Sequence, residues 1–173
     1  FVTLYHFSAP LWFAAAGGWH ASDAVERFTA YLTALLPVLR HGVEGIVTIN
    51  EPNMVAVLSR VLSGQVSFGD TEDGLLPAPD QYVVSALVTA HHTGVDLLHR
   101  ELPGVPIGWS VANQCVQSLG AGAERADRYR EAIEDQFIRS AAHDDFIGVQ
   151  SYTRTLFGPT ASRCARSRRR SRQ

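Results

Sequence analysis

Glu51 stands where a carboxylic acid can do work. It closes the run Gly45-Ile46-Val47-Thr48-Ile49-Asn50-Glu51-Pro52. Four consecutive apolar or β-branched residues read as a buried strand. Pro52 has no N–H for a sheet ladder, so the strand stops there. The C-terminal ends of such strands are where α/β folds place their chemistry. A carboxyl group held there can protonate a leaving group when its surroundings favour the acid form. A strand-ending Glu that pairs with a cation or faces water would show the same pattern. Three more polar groups invite attention: His6 after the first apolar run, Asn113-Gln114 after the third, and Gln150-Ser151-Tyr152 within the fourth. Trp12 and Trp19 offer faces on which a sugar ring can stack, although Trp also fills cores. His91, His92 and His99 suggest a metal, but no HExxH spacing and no neighbouring carboxylate or Cys completes a ligand set. They read as core and helix-face histidines, with no metal.

The elements that must hold these residues alternate. Residues 1–7 are rich in aromatic and β-branched types and predict a strand, followed by a loop through Trp19. Asp23 or Ser22 can cap a helix whose apolar face is Val25, Phe28, Tyr31, Leu32, Leu35 and Leu36, with Pro37 as its end or kink. The Glu51 strand follows, then a short helix over 53–62 and a loop over 63–79 rich in Gly, Asp, Ser and Pro. Asp80 caps a long helix to about Arg100. Residues 105–112 predict the third strand. Residues 124–142 predict a helix burying Tyr129, Ile133, Phe137 and Ile138, and residues 146–152 the fourth strand. Strands alternating with helices imply parallel strands and crossover connections. No GxGxxG follows the first strand, which disfavours a dinucleotide fold, and no P-loop is present.

Charge divides the chain. All 15 basic residues are Arg, and six of them lie in the last eleven positions. The remaining nine Arg face 17 acids, so residues 1–162 carry a formal charge of −8. An acidic body thus precedes a basic tail. Residues 159–173 lack periodicity and predict a disordered segment. Cys115 and Cys164 make no disulfide framework. No apolar run approaches the roughly 18 residues of a membrane span. No export signal precedes the first strand, which predicts a cytoplasmic location. The chain opens at Phe1 inside a strand-like run, so it is expected to begin within a domain.

In ordered succession the motifs resemble glycoside hydrolase family 1, the β-glucosidase type of (β/α)8 barrel. Thr48-Ile49-Asn50-Glu51-Pro52 matches the family's T-x-N-E-P motif. Leu4-Tyr5-His6-Phe7, with Pro10, Trp12 and Gly17-Gly18-Trp19, matches the end of barrel strand three. Ala90-His91 with Arg100 resembles the helix after strand four, and Asp145-Phe146-Ile147-Gly148 the start of strand six. The resemblance implies a partial barrel of about four β/α units over residues 1–158. It implies Glu51 as general acid/base, Asn50 on the sugar hydroxyl beside the anomeric carbon, and His6 on another glycone hydroxyl. Tyr152 matches the second aromatic of the family's N-Y-Y segment, which positions the nucleophile, and Gln150 stands where that segment has Asn. Strand alternation alone cannot aim both Asn50 and Glu51 into a barrel mouth; the resemblance places them there.

The resemblance also implies a carbohydrate substrate with β-linked O-glycosidic bonds and no metal or organic cofactor. Retaining glycosidases need a second carboxyl group about 5–5.5 Å from the first. The family carries it in E-N-G at strand seven, and no Glu-Asn-Gly occurs in this chain. The expectation is therefore a fragment spanning strands three to six, inactive alone, whose open sheet edges favour self-association. The Arg-rich tail is expected to come from a frameshifted or truncated gene. A second reading makes the chain a non-catalytic interaction remnant whose tail binds nucleic acid or another anion; a third keeps His6, Asn50 and Trp12 for sugar binding without turnover.

Overall fold

The protein is described here by a computed structural model covering residues 1–68, 71 and 75–158. The basic tail, expected to be disordered, lies outside the described residues. Strands β1 (Val2–Tyr5), β2 (Ile46–Asn50), β3 (Ile107–Ser118) and β4 (Phe146–Phe157) form one sheet in the order β1-β2-β3-β4. Every neighbouring pair is parallel, as the alternation with helices requires.

Helix α2 (Ala24–Leu39) buries Phe28, Leu32, Leu36 and Leu39. Pro37 lies inside its last turn and the helix runs two residues past it. The lost N–H is tolerable there because the helix is ending. Helix α4 (Gln81–Glu101) follows its cap: the Asp80 carboxylate accepts from the amides of Tyr82 and Val83. Gly94 lets α4 approach α2, since a Cβ there would lie 2.8 Å from a Leu32 methyl. The two helices cover the sheet, whose buried residues include Ile46, Ile49, Ile107 and Trp109.

Three stretches differ from the sequence reading. The loop after β1 contains α1 (Leu11–Ala15) and a single 3₁₀ turn, Gly18–His20. Trp19 is buried there, edge-on to Tyr5 and Phe13. Strands β3 and β4 are each 12 residues long and stay paired to Ser118 and Phe157, well past the predicted ends. The helix over 124–142 is not one regular α-helix. It consists of α5 (Ala123–Arg130), a π turn (Glu131–Asp135) and α6 (Gln136–Ser140). A π turn has wider, i→i+5 bonding and rotates everything after it. Phe137 is accordingly buried, Ile138 is exposed over about two fifths of its surface (39%), and Glu134 takes an inward position.

Candidate active site

The second strand ends in an uncommon backbone. Glu51 has φ +49° and ψ +57°, left-handed values that non-glycine residues seldom adopt. Its amide donates to the Ser110 carbonyl at 2.7 Å. Pro52 follows as the first residue of helix α3 (Pro52–Leu62), where a missing N–H costs nothing. Two residues on, Asn53 grips β3: its Nδ2 donates to the Ala112 carbonyl (2.7 Å) and its Oδ1 accepts from the Ala112 amide (3.2 Å). The register also slips. Val47 pairs with Gly108 but Asn50 pairs with Ser110, so β2 carries one extra residue. This irregularity and the left-handed Glu51 break simple alternation. Asn50 and Glu51 are both buried at the strand's C-terminal end.

A polar network joins three strands there. Asn50 Oδ1 accepts from the Ser110 hydroxyl (2.9 Å) and from Gln150 Nε2 (2.6 Å). Gln150 Nε2 also reaches Ser110 Oγ at 3.2 Å. The Tyr152 hydroxyl lies 3.1 Å from Glu51 Oε1 and also contacts Gln150 Oε1. A phenol has one proton, and both of those oxygens are acceptors when Glu51 is ionised. The phenol therefore donates to one of the two at a time. Local desolvation, then the hydrogen bond and charge of Glu51, hold the phenol of the mostly exposed Tyr152 above its ordinary pKa. Asn50 Nδ2 is buried and, among the described residues, has no hydrogen-bond partner.

Beneath the network, His91 is wholly buried. Its Nδ1 lies 2.7 Å from the Thr48 hydroxyl and its Nε2 3.0 Å from Asp144 Oδ2, and its ring stacks on Trp109 at 4.2 Å. His92 meets the Ser140 carbonyl and His99 meets Asp145. Among the described residues, no group of three His, Cys, Asp or Glu is placed to hold a metal.

Of the residues singled out in the sequence, Glu51, Asn50, Gln150 and Tyr152 come together. His6 follows Tyr5, which pairs with Ile49, and so stands at the level of Asn50 on the neighbouring strand. Its ring lies against Phe7, 5.5 Å between centroids, outside the hydrogen-bonded network. Trp12 sits on α1 beneath Arg27 and lines a different cavity of about 350 Å³ beside β1, with Tyr5, Trp19, Phe28 and Tyr31. Ser110 and Asn53 escaped the sequence reading. Ser110 is hidden inside an apolar strand; Asn53 offered one cue, an amide two residues after the carboxylate.

Parallel strands with crossover helices and a buried acid at the C-terminal strand ends fit a segment of a (β/α) barrel with its site at those ends. The chain belongs to glycosyl hydrolase family 1, whose sequence profile matches residues 1–158. β-Glucosidase A of Enterobacter agglomerans is 32% identical over 93 residues, which are 53% of this chain and 19% of that protein. A β-glucosidase of an Agrobacterium strain is 25% identical over 114 residues, 62% of this chain and 22% of that one. The crystal structure of the β-glycosidase BGL167 superposes with a TM-score of 0.74 at 27% identity, covering 91% of this chain and 42% of that one. The family 1 β-glucosidase of Thermotoga maritima shares the fold, with a TM-score of 0.70 at 20% identity and the same coverage. The chain thus spans about a fifth of these two curated relatives and 42% of these two solved barrels. Its fold is a partial TIM barrel. No helix among the described residues is long and apolar enough to cross a membrane.

Proposed function

We propose that the chain carries the acid/base half of a retaining β-glucosidase-like site acting on β-linked O-glycosides. The observation that carries this reading is the buried, unpartnered Asn50 Nδ2 beside the buried carboxyl of Glu51. An unpaired buried donor is uncommon and calls for an acceptor; a sugar hydroxyl next to the scissile bond supplies one. Glu51 would give its proton to the glycosidic oxygen as the bond breaks and later take one from the attacking water. Tyr152 and Gln150 would hold that carboxyl and Asn50 in place. The resemblance adds His6 as a second contact to the sugar; a stacking role for Trp12 would require a sugar that reaches the cavity beside β1.

One carboxylate does not complete a retaining mechanism. The sequence offers no Glu-Asn-Gly, and no second carboxylate joins the Glu51 network among the described residues. The chain on its own is therefore expected to bind without turnover. Side-chain amide NMR during titration with an aryl β-glucoside tests the reading. Displacement of the Asn50 and Gln150 amide signals supports it, and their indifference to a glucoside that saturates no other site sinks it.

A further inference from the structure

The fourth strand carries a second irregularity, directly under a residue of the site. Asn113 pairs with Ser151, but Gln114 pairs with Thr153, so Tyr152 is an extra residue facing no partner on β3. A β-bulge of this kind bends its strand and re-aims a side chain. It also interrupts the ladder, and the Gln114 amide finds its acceptor elsewhere. That acceptor is Glu134 in the π turn: Oε1 takes the Gln114 amide at 2.7 Å and Oε2 takes Asn113 Nδ2. Glu134 is 1% exposed. Burial pushes its carboxyl pKa up, with the Gln114 amide working in the opposite direction. The Gln114 side chain completes the clamp, donating to the Tyr129 hydroxyl at 3.0 Å and accepting from Thr155 beyond the bulge. A buried carboxyl is costly unless its bonds are made, and a π turn exchanges regular bonding for position. Both are concentrated on the two β3 residues that face the bulge.

We propose that Glu134 is a positioning residue of the acid/base site: it holds Asn113 and Gln114 opposite the bulge and thereby seats the Tyr152 hydroxyl on Glu51. The proposal rests on the reading of Glu51 given above, but its test needs no sugar. Fluorotyrosine is placed at position 152 of the full chain, and its ¹⁹F signal is compared with and without Glu51→Gln. The substitution displaces the signal because the phenol touches that carboxyl. In a Glu134→Ala background the displacement is lost. Glu134→Gln retains it, since one amide oxygen still accepts from Gln114 while Asn113 turns its own amide over. Phe137→Leu, a buried change on the same helical run, lowers the unfolding midpoint and leaves the displacement intact. Should Glu134→Ala fail to fold, Asn113→Ala removes one arm of the clamp, and the displacement shrinks. A displacement that survives Glu134→Ala or Asn113→Ala undiminished overturns the proposal. So does one lost equally in Phe137→Leu, or one absent from the starting chain. A chain that ignores glucosides but shows this pattern would fail as a sugar site while Glu134 keeps its assigned role.

Discussion

Glu51 pairs burial with a left-handed backbone, and each has a cost. The conformation alone is worth about 1–2 kcal/mol of strain for an L-residue. Glycine carries no such penalty. Glu51→Gly should therefore raise stability by about 1 kcal/mol while removing the proposed acid; a urea midpoint that falls instead would contradict the strain argument. His91 makes the opposite prediction. It lies between Thr48 and the nearly buried Asp144, so His91→Leu leaves a carboxylate without its partner and should cost about 3 kcal/mol. Thermal unfolding that barely moves would show that Asp144 finds other bonds. At this scale the sequence was legible where residue types were conspicuous. Asn50, Glu51, Gln150 and Tyr152 stood at the ends of apolar runs and meet in space. Glu134 was not legible, because it looks like any solvated acid on a charged helix. Its burial comes from a π turn that no period of 3.6 reveals.

Among the elements, position comes from departures rather than from regularity. β2 gains a residue before Asn50 and β4 gains one at Tyr152. Periodicity predicted the four strands in order but not these insertions, and so could not explain how two successive residues serve one site. Asn53 fixes α3 to β3 through both backbone groups of Ala112. Asn53→Ala leaves those groups unpaired and should cost about 2 kcal/mol, read as a lower thermal midpoint; no change would mean that water replaces the amide. Asp145 ties the start of β4 to β3. Its carboxylate accepts from His99 and from the Ile107 amide, and these bonds hold its pKa below the usual carboxylate value. The folded chain thus keeps this charge at lower pH than the unfolded chain. The resulting stabilisation is complete above the ordinary carboxylate pKa and is lost as pH falls through it toward the folded value. Asp145→Asn should flatten the stability profile in that window, as urea midpoints at several pH values would show; an unaltered slope would assign the acid sensitivity to other groups.

For the whole molecule, the two outermost strands set the behaviour. Among the described residues, β1 and β4 each have a neighbour on one side only, and Ile147, Val149 and Leu156 of β4 are exposed, as are Phe1 and Val2 at β1. Unpaired edges with apolar side chains favour pairing with another chain. We expect self-association that grows with concentration and weakens with Val149→Lys; light scattering that gives a monomer mass throughout would contradict this. The barrel class was legible because strand–helix alternation and polar strand ends recur four times. The long β3–β4 pair was not, since its outer half lacks the apolar run that marks a buried strand. On the proposed reading, this molecule holds one catalytic carboxylate of a two-carboxylate site. Hydrolysis of a chromogenic aryl β-glucoside by the folded chain, beside Glu51→Gln, tests it most directly. No release of the chromophore beyond that of the Glu51→Gln control is expected. Turnover by the chain that disappears in Glu51→Gln would mean that a second carboxylate is already in place, and the half-site account would be wrong.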